Sequence, residues 1–238
     1  MPSPNTLTPH PEGSIRELWS ISFPLMISSL AMLLMIFTDR VFLAHYSVES
    51  LAASVNAGTL SWALMSGIGM IAAMSEIFVA QYNGAKQFLK LGSPVWQMIW
   101  FSLASSLLFI PLAIWGAPLI FQNGPYAELE SVYFRWIMLF SPAYALMMAL
   151  SGFFIGRGKT RLMIILALVA NGFNILLDRI LIFGIDGLIP EMGIKGAAIA
   201  TCFGYCFESL VLLYLFLSSK MRTEFGTGSW RIDWPQMM

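Results

Sequence analysis

Apolar runs long enough to cross a bilayer recur along almost the whole chain, and no other feature narrows the possible folds so far. A helix needs about 20 residues to span the hydrocarbon. Runs of that length lie at roughly 16–44, 57–81, 94–122, 127–155, 162–184 and 194–218, and none of the segments between them is long enough to be a separate domain. Of the 238 residues 58% are hydrophobic and 11% charged, where soluble domains carry about 25% charge. The expected fold class is therefore all-α integral membrane, a bundle of six transmembrane helices.

The basic residues set its direction. Arg16, Lys86, Lys90, Arg157, Lys159, Arg161, Lys220, Arg222 and Arg231 fall in the tail and in alternate connections. The opposite connections hold Glu49, Glu128, Glu130, Asp186 and Glu191, with Lys195 as their only lysine or arginine. Lysine and arginine are enriched on the cytoplasmic side, so both termini are expected there. Residues 1–14, MPSPNTLTPHPEGS, lack a basic stretch followed by a short apolar core; they read as a disordered cytoplasmic tail and not as a signal peptide. The membrane lobe then covers 15–219, and 220–238 is a cytoplasmic segment. Within the spans Pro24, Pro111 and Pro142 each remove a backbone hydrogen bond and permit a kink. Gly196, Ala200 and Gly204 form a small-residue stripe at i, i+4, i+8 that allows close helix contact.

Several motifs suggest chemistry the chain cannot perform. GRGKT at 156–160 imitates a phosphate-binding loop, but Phe153 stands where the pattern requires glycine, and an apolar helix precedes it in place of a strand. It reads as a cytoplasmic turn held inside by Arg157, Lys159 and Arg161. Cys202 and Cys206 have no second ligand pair, and the only histidines are His10 in the tail and His45 at an outer helix end; the cysteines are expected to pack, not to bind metal. Glu128 and Glu130 sit in a connection and are expected to be solvated. No serine–histidine–acid or cysteine–histidine set is available, so an enzyme is not expected.

Ionisable residues inside a span are costly and default to function. Here they are Asp39, Arg40, Glu76, Arg135, Asp178, Arg179 and Glu208. The first and fifth spans run outward, and Asp39 and Asp178 each lie about six residues, ~9 Å, before the outer end. Asn174 is one turn deeper on the face of Asp178. Tyr133 and Thr201, on spans running inward, reach the same layer after ~9–12 Å. Two carboxylates, an amide, a hydroxyl and a phenol at one depth suit a hard monovalent cation, or a proton shared between acids. Glu76 and Glu208 fall outside that layer and are given no role. Arg40 and Arg179 lie about 100° around their helices from the aspartates and are expected to snorkel to the outer interface.

These residues, in this order, resemble the amino-terminal lobe of the MATE (multidrug and toxic compound extrusion) transporters. The resemblance rests on Pro24 followed by FTDRVFLAHYSVESLAA, on VAQYNGA at 79–85, on FFIGRGKTR, on NILLDRILIFG and on MGIKGAAIAT ending at Thr201. It implies one half of a twelve-helix, two-lobed antiporter of the plasma membrane, exporting drugs or other small organic compounds against Na⁺ or H⁺, with no other cofactor. Asp39, Asn174, Asp178 and Thr201 match the family's coupling site, Tyr133 a nearby aromatic, and Pro24 a first-helix proline with a hinge role. In place of a small hydroxyl residue and a proline, Arg40 and Arg179 follow the two aspartates. The remaining partner would be a second six-helix lobe, from the same native chain, a separate chain or a second copy, with 220–238 opening the linker to it. The bilayer is the other partner, and no nucleic acid is expected. The alternatives are half of a lipid-linked sugar flippase-like transporter, a non-transporting membrane subunit, or a truncated inactive remnant.

Overall fold

The computed structural model describes residue 11 and residues 14–231, apart from several side chains between 17 and 32. Most of the tail, the residues beyond 231 and the side chain of Pro24 lie outside the described residues. Helix α1 (Ile15–Tyr46) is followed by α2 (Val48–Ala73) and α3 (Ser75–Gly84), then by a 3₁₀ turn at Phe88–Lys90. Next come α4 (Gly92–Ala104), α5 (Ser106–Pro111), a π-helical turn (Leu112–Gly116) and α6 (Ala117–Phe121). Helices α7 (Ala127–Ile155), α8 (Thr160–Phe183), α9 (Ile194–Phe216) and the short α10 (Ser219–Phe225) complete the chain. Five passages are long and apolar enough to cross a membrane: 48–84, 88–121, α7, α8 and α9. The 32 residues of α1 give it the length as well. The fold is an all-α membrane bundle.

Boundaries differ from the apolar runs where polar side chains cap or break a helix. Helix α2 starts at Val48, nine residues ahead of the run at 57, because Ser47 caps it: its side chain accepts a hydrogen bond from the Ser50 amide at 2.9 Å. The break between α2 and α3 coincides with Ser75, whose hydroxyl donates to the Ala149 carbonyl at 2.7 Å. At Ser105 the hydroxyl turns back onto the Ser102 carbonyl at 2.6 Å. Pro111 has no amide hydrogen to donate, and the wider π turn follows it directly.

Helix α7 is the centre. Its most apolar window is 56% buried, against 17–28% for the other four passages, and α2, α3, α4 and α9 all pack on it. Pro142 sits within it without interrupting it. Toward its carboxyl-terminal end Gly152 and Gly156 let α3 approach: a Cβ on Gly156 would lie 2.7 Å from the Glu76 carbonyl oxygen. Helices α8 and α9 meet likewise at Gly196, where a Cβ would lie 2.5 Å from the Leu181 carbonyl oxygen. The stripe does not continue the contact: Gly204 faces open space, because α9 there borders a cavity. The outer surfaces are apolar, with Leu33, Phe37, Met70, Leu107, Leu119, Ile165 and Leu210 exposed, as lipid rather than water requires.

Residues 220–231, the described part of the 220–238 segment expected to open a linker, pack against α4 and the end of α9. The Thr227 hydroxyl is fully buried and donates to the Phe216 carbonyl at 2.8 Å. The Trp96 and Trp100 indoles and the Gln97 amide donate to the carbonyls of Thr227, Trp230 and Arg231 at 2.8, 2.9 and 3.1 Å. In the GRGKT turn Gly158 adopts a φ of 72°, a conformation open to glycine. Arg157 beside it lies 3.6 Å from the Phe225 ring centroid and 4.8 Å from that of Phe153. Burial lowers the pKa of its guanidinium, and the Glu224 carboxylate opposes that shift. The turn is thus a clasp for α10.

Candidate functional site

Four packing relations bring the polar residues together. Helices α1 and α2 form a hairpin about Ser47, so positions seven residues to either side of it, ~10 Å along each helix, face one another. Arg40 and Ser54 are such a pair, and the guanidinium donates to the Ser54 hydroxyl. Helix α8 packs on α1 and presents Asn174 and Asp178 on one face, four residues apart. Helix α9 packs on α8 and on α7; it contributes Thr201 and Tyr205, and α7 contributes Tyr133.

The result is a cavity of about 250 Å³ whose wall includes Asp39, Arg40, Tyr133, Asn174, Thr201 and Tyr205. Asp178 lies off this wall, fully buried, and its carboxylate interacts electrostatically with that of Asp39. Asn174 is 2% exposed and Asp39 7%. Both oxygens of Asp178, both polar atoms of the Asn174 amide and Oδ1 of Asp39 have no hydrogen-bond partner. That is five orphaned polar atoms in one small region. A fold normally satisfies such atoms, and each one left alone costs roughly 1–3 kcal/mol, more when charged. Oxygens of this type neutralise by taking a proton or a small hard cation. Among the described residues no three His, Cys, Asp or Glu side chains gather as a transition-metal site would need. Cys202 is buried and its thiol donates to the Trp136 carbonyl at 3.4 Å, while Cys206 is half-buried; both are free.

The two arginines part company. Arg179 is exposed and reaches toward the carboxyl-terminal end of α8, 4.8 Å from the Phe183 ring centroid. Arg40 does not snorkel. Ser54 offers a buried acceptor across the hairpin, and Gly58 leaves room for the guanidinium, which therefore enters the cavity. Glu130 is also not solvated: it lies in the first turn of α7, 3% exposed, and accepts a hydrogen bond from the Asn56 side chain at 2.9 Å.

A second cavity, about 280 Å³, continues from the first. The two share Met35, Trp62, Met65, Asn174, Thr201 and Tyr205. The second extends past Tyr144 and Gly204 to Glu208, giving that residue a place that depth alone did not reveal. Glu208 lies seven residues, two turns, after Thr201 on α9, a spacing that repeats on one helix face.

The MatE family model matches residues 24–180. A "Probable multidrug resistance protein NorM" of Listeria monocytogenes is 28% identical over 89% of this chain and 47% of its own length. A second protein of that name, from Thermotoga maritima, is 26% identical over 86% of this chain and 45% of its own. The chain thus spans about half the length of the curated relatives it matches. Among solved structures, a MOP superfamily transporter from Pyrococcus furiosus superposes with a TM-score of 0.62 at 23% identity, over 91% of this chain and 46% of the other.

Proposed function

Given that this chain belongs to the MatE family of multi-pass membrane transporters, we propose that it is the amino-terminal lobe of a cation-coupled exporter of small organic compounds. It acts in the plasma membrane with both ends of the chain in the cytoplasm. Asp39, Asn174, Asp178 and Thr201 form its coupling site, with Tyr133 beside them and Pro24 as a hinge in α1. The observation that carries this reading is the set of unpartnered oxygens around Asp39 and Asp178. A site that must take up and release a cation keeps its ligands unsatisfied between visits. The names of the relatives support export of drugs, and the share of their length that is matched supports a second lobe, supplied by the same native chain, a separate chain or a second copy.

Alternating access places the coupling site at a cavity within the membrane, reached from one face at a time. Binding of Na⁺ or H⁺ at the aspartates and binding of the exported compound in the neighbouring cavity are then coupled through the walls the cavities share. The test is efflux of a fluorescent organic dye from cells lacking their own pumps, in the complete transporter, under an imposed Na⁺ or H⁺ gradient. Asp39→Asn and Asp178→Asn are expected to abolish gradient-driven efflux while membrane insertion stays intact. Efflux surviving in both variants refutes the coupling role. An immunoblot of the native protein, read against the 26.5 kDa of this chain, tells whether the second lobe belongs to the same native chain: a band near twice that mass means that it does.

A further inference from the structure

The coupling-site reading leaves one charged group unused: a guanidinium inside the cavity. Arg40 donates to the hydroxyl of Ser54, itself fully buried on α2. Its other terminal nitrogen lies over Gly58, where a Cβ would come within 3.1 Å of it, and the Tyr133 ring closes the same corner. The arginine is therefore seated, with a hydrogen bond on one side and a glycine-shaped space on the other. It also acts electrostatically on the Asp39 carboxylate.

The charges can be counted. Asp39 and Asp178 bring two negative charges and Arg40 one positive charge. The other titratable groups around them are Tyr133, Tyr205 and Cys202, which are neutral in their ordinary state, and Glu208 at the far end of the second cavity. Glu208 stands seven residues along α9 from Thr201, ~10 Å away along the helix, so at the coupling site itself one negative charge remains to be balanced by something mobile. Burial makes the balance strict, since an uncompensated charge out of water is the costliest arrangement a fold can hold.

We propose that Arg40 is a permanent, tethered counter-ion of the coupling site, which takes the place of one cation and leaves room for a single exchangeable monovalent cation per lobe, carried at Asp178. Asp39 lines the same cavity as the guanidinium and is the carboxylate whose charge it balances. Asp178, which has no partner for either oxygen, is the group that loads and unloads. Arg40 is thus a specificity-determining residue: it sets how many ions the lobe exchanges without itself moving. The inference rests on the coupling-site reading given above.

The experiment counts protonated aspartates by infrared difference spectroscopy of the carboxyl C=O stretch, each variant read against its parent so that Glu130 and Glu208 cancel, on the purified complete transporter in lipid nanodiscs at neutral pH without Na⁺. The wild type is expected to show one, lost in Asp178→Asn and kept in Asp39→Asn. Arg40→Ser is expected to show two, the second disappearing when Asp39→Asn is added. Arg40→Gln, which leaves less empty space, is expected to give the same doubling and serves if the serine variant does not fold. Equal counts in the wild type and the Arg40 variants overturn the counter-ion assignment. A wild-type signal that Asp178→Asn leaves unchanged overturns the coupling-site reading instead, so the two failures are distinguishable.

Discussion

Replacing Asp178 by asparagine separates what this residue does for stability from what it does for function. In the folded chain the carboxyl group is fully buried with neither oxygen hydrogen bonded. Asparagine has the same shape and carries no charge, so nothing is lost in packing and no counter-charge is needed. The variant is therefore expected to melt no lower than the wild type in a buffer free of Na⁺. Bound ligand should reveal the difference. At a cation concentration a hundredfold above the dissociation constant, binding adds ~2.7 kcal/mol to the wild type. For a chain of this size that raises the melting temperature by roughly 5–11 °C. In the variant the rise should vanish. The assay is intrinsic tryptophan fluorescence during a thermal ramp in detergent, using the chain's 8 tryptophans, with Na⁺ titrated against a choline control and pH lowered in a parallel series. A variant that keeps the full ligand-induced rise refutes the role assigned to Asp178. One that melts well below the wild type before any cation is added refutes the claim that the carboxyl group is unsupported.

Two further outcomes follow from the packing. Gly156→Val should cost roughly 1–3 kcal/mol by overpacking, because its Cβ would meet the Glu76 carbonyl oxygen at 2.7 Å and Val79 at 2.9 Å, whereas Gly204→Ala, which meets nothing within 4 Å inside α9, should raise the melting temperature slightly, alanine favouring a helix interior by roughly 0.5–1 kcal/mol. Trp96→Phe keeps an aromatic side chain but removes the indole donor to the Thr227 carbonyl, a loss of roughly 0.5–1.5 kcal/mol before the smaller ring's lost contacts with Trp100 and Phe216 are added; limited proteolysis should then cut residues 219–231 sooner while the spans stay protected.

The parts of this fold that sequence reveals are those governed by hydrophobic length. Apolar runs located the long helices within a few residues, except where a side chain imposed its own rule. Ser47 caps α2 through the Ser50 amide, and a serine before a polar first turn is a signal that apolar counting passes over. The break before α3 coincides with Ser75 bonding to another helix, a contact that no local pattern contains. Counting depth along the spans brought Asp39, Tyr133, Asn174 and Thr201 to one level, and all four border one cavity. Depth says nothing of azimuth, however, and Asp178 lies behind that wall. The direction of Arg40 was within reach, since reflecting the chain about Ser47 sets it opposite Ser54. The burial of Glu130 was not, because its partner Asn56 lies 74 residues away.

The two joined cavities also have an electrical consequence. Their walls are mostly apolar, but Asp39, Arg40, Asn174 and Thr201 offer water a polar stretch, and water entering there would shorten the insulating layer across which the membrane potential falls. The voltage is then concentrated over the protein that separates the hollow from the far side. Carrying one elementary charge through the whole drop is worth about 2.3 kcal/mol per 100 mV, and under the coupling role proposed for Asp178 an ion travelling between that residue and either aqueous phase would cross a share of it. The lobe's loading should respond to membrane voltage even when the ion concentrations on the two sides are equal.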